Sequence, residues 1–271
     1  MSVVSKTDNI MIKSLKFFYR NLRSKKQRIR YKLSNAYAKQ KESLLPLKSF
    51  VPDSTDIIDC FHLPADILDR TLITSFYSNN ISTSTVAYQK KVFDLFKLPL
   101  VQVNAGKTHA EFLEDTLAST DKEFVIFFDI DAIPLRKEAV FLLLNDLTQG
   151  AVVAGSLLTA NHLNNAKNNY VGPFFMGIQT GFYKQCGSPS LDWSEEFDVA
   201  AILTAAAINS SLSVKYWVPT DIEVRKWSLY RIGYFGLGTT YNGLVYHAFE
   251  GREGNSKTFV NKCKKVLKSF E

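Results

Sequence analysis

The 271-residue chain is 46% hydrophobic and 22% charged, with 20 phenylalanines and 12 tyrosines, a composition that builds a sizeable core and excludes a disordered polypeptide. Its net charge of +7 is unevenly placed: residues 1–41 hold twelve bases against the single acid Asp8, whereas residues 42–271 hold 21 bases against 25 acids. The body is thus mildly acidic, which argues against nucleic acid as a partner, and the scattered Cys60, Cys186 and Cys263 form neither a disulfide framework nor paired zinc ligands and fit a reducing compartment.

In chain order, Lys6 and Asp8 interrupt any signal-peptide core at the N-terminus. No run reaches the roughly 18 apolar residues of a spanning helix. A cytoplasmic protein is expected, with peripheral membrane contact as an option. That option rests on residues 10–42, where Ile10, Ile12, Leu15, Phe17, Phe18, Leu22 and Ile29 fall among the basic residues at loosely helical spacing. A basic amphipathic helix of this kind suits an anionic membrane surface; a solvated arm packed on the body is the competing reading. Residues 43–70 are a connector punctuated by Pro46, Pro52 and Pro64.

From Thr71 the rhythm changes. Thr71–Tyr77 is a β-branched and aromatic run closed by Ser78-Asn79-Asn80, a strand and a polar loop. Residues 84–96 carry Val86, Val92, Phe93 and Phe96 at helical spacing, and Leu98–Val103 is a second strand. His109–Ser119 is a helix with Phe112, Leu113, Thr116 and Leu117 on one face. Phe124–Phe128 is a continuous apolar run, as expected of a strand covered on both sides in a parallel sheet. Glu138–Leu147 and Ala151–Ser156 add another helix and strand. Such alternation predicts α/β layering around a mostly parallel sheet. Beyond residue 157 the pattern loosens: Asn161-His162 and 164–169 form a polar loop, Gly172–Ile178 a strand, Glu195–Asn209 an Ala-rich helix and Leu212–Val218 a strand. Gly233–Gly238 reads as loop, Leu244–His247 as a final strand and Lys257–Phe270 as a basic helix.

The strongest chemical signal is Asp129-Ile130-Asp131, directly after the buried run. Ligands bind beyond the carboxyl ends of parallel strands. Two adjacent carboxylates there repel each other and resist desolvation; a divalent cation, Mn²⁺ or Mg²⁺, removes the conflict and offers its remaining positions to phosphate oxygens. Extended backbone turns Asp129 and Asp131 the same way and Ile130 into the core. The competing reading is a pair of loop acids that cap the next helix.

With Phe124–Phe128, Asp129, Asp131 and Pro134-Leu135 following the first strand Leu72–Tyr77, the sequence resembles the A-type glycosyltransferase (nucleotide-diphospho-sugar transferase) fold. The resemblance implies a Rossmann-like, mostly parallel sheet flanked by helices. It divides the chain into a basic helical arm (1–45) and a catalytic domain (46–271). Within the domain it implies a nucleotide-sugar-binding half (70–156), an acceptor half (157–250) and a C-terminal tail (251–271). It further implies that Asp129 and Asp131 hold the metal and the donor diphosphate, with a third ligand from late in the chain, for which His247 qualifies; a half-buried histidine at a strand end is the equal alternative. Arg252 and Lys257 would neutralise the leaving diphosphate. Thr74, Phe76 and Tyr77 would seat the nucleotide; Lys107 and His109, which open the helix before the acidic strand, would touch its base or phosphate, with a plain helix start as the competing reading. For the acceptor, Asp198 is the candidate general base, while Glu195 and Glu196 read as helix-start acids.

The implied activity is transfer of a sugar from a nucleotide-sugar donor to a glycan or lipid-linked acceptor, as in surface-polysaccharide assembly. Two alternatives stand beside it. A phosphatase resembling the haloacid dehalogenase family shares an Asp-x-Asp after an apolar strand, but Ala132-Ile133-Pro134 replaces its usual Gly-Thr continuation. A non-enzymatic membrane-surface protein would make the acids incidental.

Overall fold

The computed structural model describes residues 63–163, 168–251 and 254–270. The arm at 10–42, most of the connector and Arg252 therefore lie outside the described residues. Six strands form the main sheet: β1 (Thr71–Tyr77), β2 (Leu100–Asn104), β3 (Phe124–Asp129), β5 (Ala151–Thr159), β6 (Asn169–Gln179) and β7 (Ser213–Trp217). Their spatial order is β2-β1-β3-β6-β5-β7. The pairings β1–β2, β1–β3 and β5–β7 are parallel, and β6 alone runs against its neighbours β3 and β5. The expected α/β architecture with a mostly parallel sheet is present.

The unbroken apolar character of β3 has a direct cause. Phe124, Ile126 and Phe128 pack into one core, and Val125 and Phe127 into a second core on the opposite face. Alternate residues of a strand point to opposite faces, so a strand with both faces covered has no position left for a polar residue until it emerges at Asp129. Each fully buried aromatic or aliphatic side chain contributes about 1.5–3 kcal/mol through area removed from water.

The covering helices are α1 (Thr83–Leu95), α2 (His109–Ser119), α3 (Glu138–Thr148), α4 (Thr180–Gln185), α5 (Ala201–Asn209) and α6 (Ser256–Lys268). Helix α2 starts where its sequence says it should. Thr108 accepts from the Glu111 backbone N–H and the Glu111 carboxylate accepts from the Thr108 N–H, closing a capping box. Among the described residues, no helix is long and apolar enough to cross a membrane.

A second sheet, in the order β4-β10-β9-β8, is built from β4 (Ala132–Pro134), β8 (Pro219–Leu229), β9 (Gly233–Tyr241) and β10 (Val245–His247). Here expectation and structure part. Gly233–Gly238 belongs to strand β9, and Gly236 and Gly238 within it serve close packing. A Cβ on Gly236 would lie 2.0 Å from the Val224 carbonyl oxygen of β8. The Ala-rich helix begins at Ala201, six residues later than its acids suggest. Ala200, in the left-handed region at φ 61°, breaks the helical path ahead of it.

Candidate metal centre

Three elements meet at the carboxyl end of β3. Asp129 is the last residue of that strand, and after two intervening residues the chain enters β4, which pairs antiparallel with β10 in the register Ala132↔His247. That pairing, tightened by the Ala248 N–H donating to the Asp131 carbonyl at 3.0 Å, brings a histidine from late in the chain onto the acidic turn. The His247 Nε2 lies 3.0 Å from Asp131 Oδ1 and 3.9 Å from Asp129 Oδ2. One ligand atom from each of Asp129, Asp131 and His247 fits within a span of 4.8 Å.

Burial sharpens the arrangement. Asp131 is 6% exposed and His247 4%, while Asp129 opens towards solvent with its side chain 31% exposed. Burial alone would push the Asp131 carboxyl up. The charge and hydrogen bond of His247, with a backbone N–H from Gly251, outweigh it and hold the group below the usual carboxylate value. Gly251 is required by proximity: a Cβ there would lie 2.7 Å from Asp131 Oδ2. The imidazole is fixed by packing, its ring centroid 4.1 Å from Phe174 and 3.8 Å from Phe249. Its buried Nδ1 has no hydrogen-bond partner among the described residues, and ring packing takes the orienting role that an outer carbonyl or carboxylate usually plays.

Gln89 supports the turn from behind. It is wholly buried on α1 and donates to the carbonyls of Asp129 and Ala132 at 2.7 and 2.9 Å, while its own oxygen accepts from Gln102. His109, on the first turn of α2, places Nε2 3.4 Å from Asp129 Oδ1 and stacks on Phe76.

Two carboxylates and one imidazole make a donor set of the kind that suits Mn²⁺ and, less well, the harder Mg²⁺. The atoms converge without moving and face a cleft of about 360 Å³ walled by Phe76, Ile81, His109 and the loop Phe249–Gly251. The residues present fit a divalent cation. Of the other expected site residues, Phe76 borders this cleft. Thr74 is buried, its hydroxyl donating to the Val101 carbonyl of β2. Tyr77 ends β1 beside Asn104, and Lys107 pairs with Asp115. Lys257 borders a separate groove with Ser84 and Lys264. Asp198 stands in a neighbouring cavity. Gln89, Phe174, Phe249 and Gly251 were not legible as site residues; only the glycine in Glu250-Gly251 carried a signal, as a point of close backbone approach.

No protein-family model matches the chain, and no curated protein matches it. Solved structures do align, over about half of it. A mannosyltransferase from Pyrobaculum calidifontis, in complex with GDP-Man and Mn²⁺, aligns at 10% identity and a TM-score of 0.41, covering 55% of this chain and 56% of that one. The bifunctional IspDF of Campylobacter jejuni aligns at 16% identity and a TM-score of 0.36, covering 54% of this chain and 48% of that one. A 4-diphosphocytidyl-2C-methyl-D-erythritol synthase from Anaerococcus prevotii aligns at 11% identity and 0.35, covering 55% and 90%. The chain thus spans about half the length of the first two.

Proposed function

We propose that the chain is a metal-dependent glycosyltransferase that moves a sugar from a nucleotide-sugar donor to a glycan or lipid-linked acceptor. One observation carries this reading: Asp129, Asp131 and His247 converge within 4.8 Å at the carboxyl end of a parallel strand, at the border of an open cleft. A bound Mn²⁺ or Mg²⁺ would supply charge neutralisation of the donor diphosphate as it leaves. The chain's own groups do the rest. Phe76 offers the nucleotide an aromatic wall, His109 orients Asp129, and Gly251 lets its loop pass close enough for its backbone N–H to hold the Asp131 carboxylate. Arg252 follows directly in sequence as a further cation for it. In the transfer, an acceptor hydroxyl oxygen bonds to the anomeric carbon while the bond from that carbon to the diphosphate oxygen breaks. The diphosphate departs with the electron pair, and the hydroxyl proton passes to Asp198. Thr74, Tyr77 and Lys107 are not among the residues that line the cleft.

The basic arm at 10–42 is proposed to hold the enzyme against an anionic membrane where such acceptors reside. The phosphatase alternative loses ground because Asp131 is tied to His247 and is 6% exposed, whereas that chemistry needs both acids free around a phosphoryl group.

A thermal-shift panel of nucleoside diphosphates with and without Mn²⁺ tests the reading. At ligand near 100 times its Kd the stabilisation is about 2.7 kcal/mol, or roughly 5–10 °C for a domain of this size. The shift should require both components and vanish in Asp131→Asn with the fold retained. A shift from no diphosphate under any metal condition would sink the proposal.

A further inference from the structure

A second cavity, of about 380 Å³, lies across Phe249 from the acidic cleft, and Phe249 belongs to the walls of both. Phe249 and Glu250 both occupy the left-handed region, at φ 58° and 53°, a strained conformation for non-glycine residues that persists only where the surroundings hold it. Asn255 helps hold it, donating its side-chain amide to the carbonyls of Ala248 and Phe249 at 2.8 and 3.0 Å. The ring so placed has Trp227 and Phe235 near it at 5.4 and 5.5 Å, and His247 and Phe174 at 3.8 and 5.2 Å. A strained backbone thus keeps one aromatic ring as the partition between two chambers.

The second chamber has its own chemistry. Leu158, Trp227, Phe235 and Phe249 supply apolar wall, and Asp198, Tyr170 and His162 supply polar atoms. The Asp198 carboxylate accepts from the Tyr170 hydroxyl at 2.6 Å and from the Val199 N–H at 2.8 Å, with His162 Nε2 at 3.7 Å. Its side chain is still 24% exposed, so lone pairs remain for a ligand. Among the described residues no lysine or arginine borders the chamber. A phosphate placed there would face a carboxylate with only His162 to offset it. A ring with one C–H face and a rim of neutral hydroxyls matches better: the face covers aromatic surface, and one hydroxyl donates to Asp198.

We propose that this chamber seats the terminal neutral sugar ring of the acceptor, packed against Trp227 with a hydroxyl donated to Asp198, and that any phosphate of a lipid carrier stays outside it. The word acceptor rests on the transferase reading; the saccharide site does not. Saturation-transfer NMR on the full chain would use the methyl glycosides of glucose, galactose and mannose, with glucosamine and the sugar 6-phosphates as separate arms. At least one neutral glycoside should bind, and the 6-phosphates should not. Asp198→Asn, which keeps an acceptor for Tyr170, should weaken binding by at least about tenfold, as loss of a hydrogen bond to a charged group implies. Trp227→Ala should do the same, and Trp227→Phe, which retains an aromatic face, should stay within a few-fold of the parent.

The Mn²⁺-dependent shift by nucleoside diphosphates should survive Asp198→Asn. Binding of phosphates or of the amino sugar alone would overturn the proposal. So would variants that bind like the parent, or no glycoside binding up to roughly 50 mM, beyond the weak end of specific recognition. Glycoside binding that depends on Asp198 and Trp227, in a protein that no nucleotide shifts, would keep the saccharide site and remove the transferase reading.

Discussion

Gly251 shows how little space the candidate metal cluster leaves around Asp131. Its missing side chain lets the loop pass Asp131, and Gly251→Ala puts a methyl group 2.7 Å from Asp131 Oδ2. The carboxylate must turn away. Metal affinity, read by titrating Mn²⁺ against a competing chelator, should fall by at least about tenfold, because displacements near 1 Å carry such penalties at preorganised sites. Away from the cluster, Asp146 offers a check on the electrostatics. Burial raises its carboxyl above its ordinary 3.8, against the opposing pull of the Trp217 N–H and Lys215, and it sits near the carboxyl end of α3, where a negative charge meets the unfavourable end of the helix dipole. A raised carboxyl binds its proton more tightly folded than unfolded. It therefore costs stability as pH climbs from about 3.8 through the folded value, and the cost is complete above that. Asp146→Asn keeps an acceptor for Trp217 and removes the charge. Its Tm should exceed the parent's at pH 7, with the gain shrinking as pH falls towards 3; equal Tm at both pH values would contradict the burial argument. In the sequence, Asp129 and Asp131 were legible because a charge directly after five apolar residues has few benign explanations. Gln89 and Phe174 were not, since a buried glutamine or phenylalanine shows its role only through the carbonyls and rings that the fold brings to it.

The elements divide along similar lines. Strands β1 and β3 and helix α2 are readable because their signals are local: a β-branched and aromatic run, a two-faced apolar run, and Phe112, Leu113, Thr116 and Leu117 on one helical face. Strands β8 and β9 are not, since β8 carries polar residues on much of its length and β9 opens with three glycines in six residues. Those glycines look like a loop until the partner strand is seen. Gly236→Ala tests that account. A Cβ would meet the Val224 carbonyl oxygen at 2.0 Å and the Lys226 nitrogen at 2.7 Å, both backbone atoms that cannot swing aside. The expected loss is about 2–4 kcal/mol, seen as a Tm lowered by roughly 5–15 °C; a variant as stable as the parent would mean the hairpin is looser than described. The direction of β6 was likewise hidden, because a strand covered on both faces reads the same in either direction.

At the scale of the whole chain, charge is segregated. The first 41 residues carry twelve bases, and α6 adds five lysines with no acid among its thirteen residues, its Phe259, Cys263 and Val266 turned into the core. Full-length protein should co-sediment with vesicles containing phosphatidylserine and not with neutral ones, and should detach in roughly 0.5 M salt as screening shortens the reach of each charge. Replacing Lys25, Lys26, Arg28 and Arg30 by glutamine should cut the bound fraction several-fold; unchanged sedimentation would remove the arm from membrane contact. Finally, the pairing of β4 with β10 joins residues 129–131 to residue 247, more than a hundred positions later. During synthesis the central sheet acquires its acidic turn long before the histidine leaves the ribosome. A growing chain therefore carries two of the three clustered residues for more than a hundred further residues of synthesis, and the Asp-Asp-His cluster is complete only when the last strand locks into place.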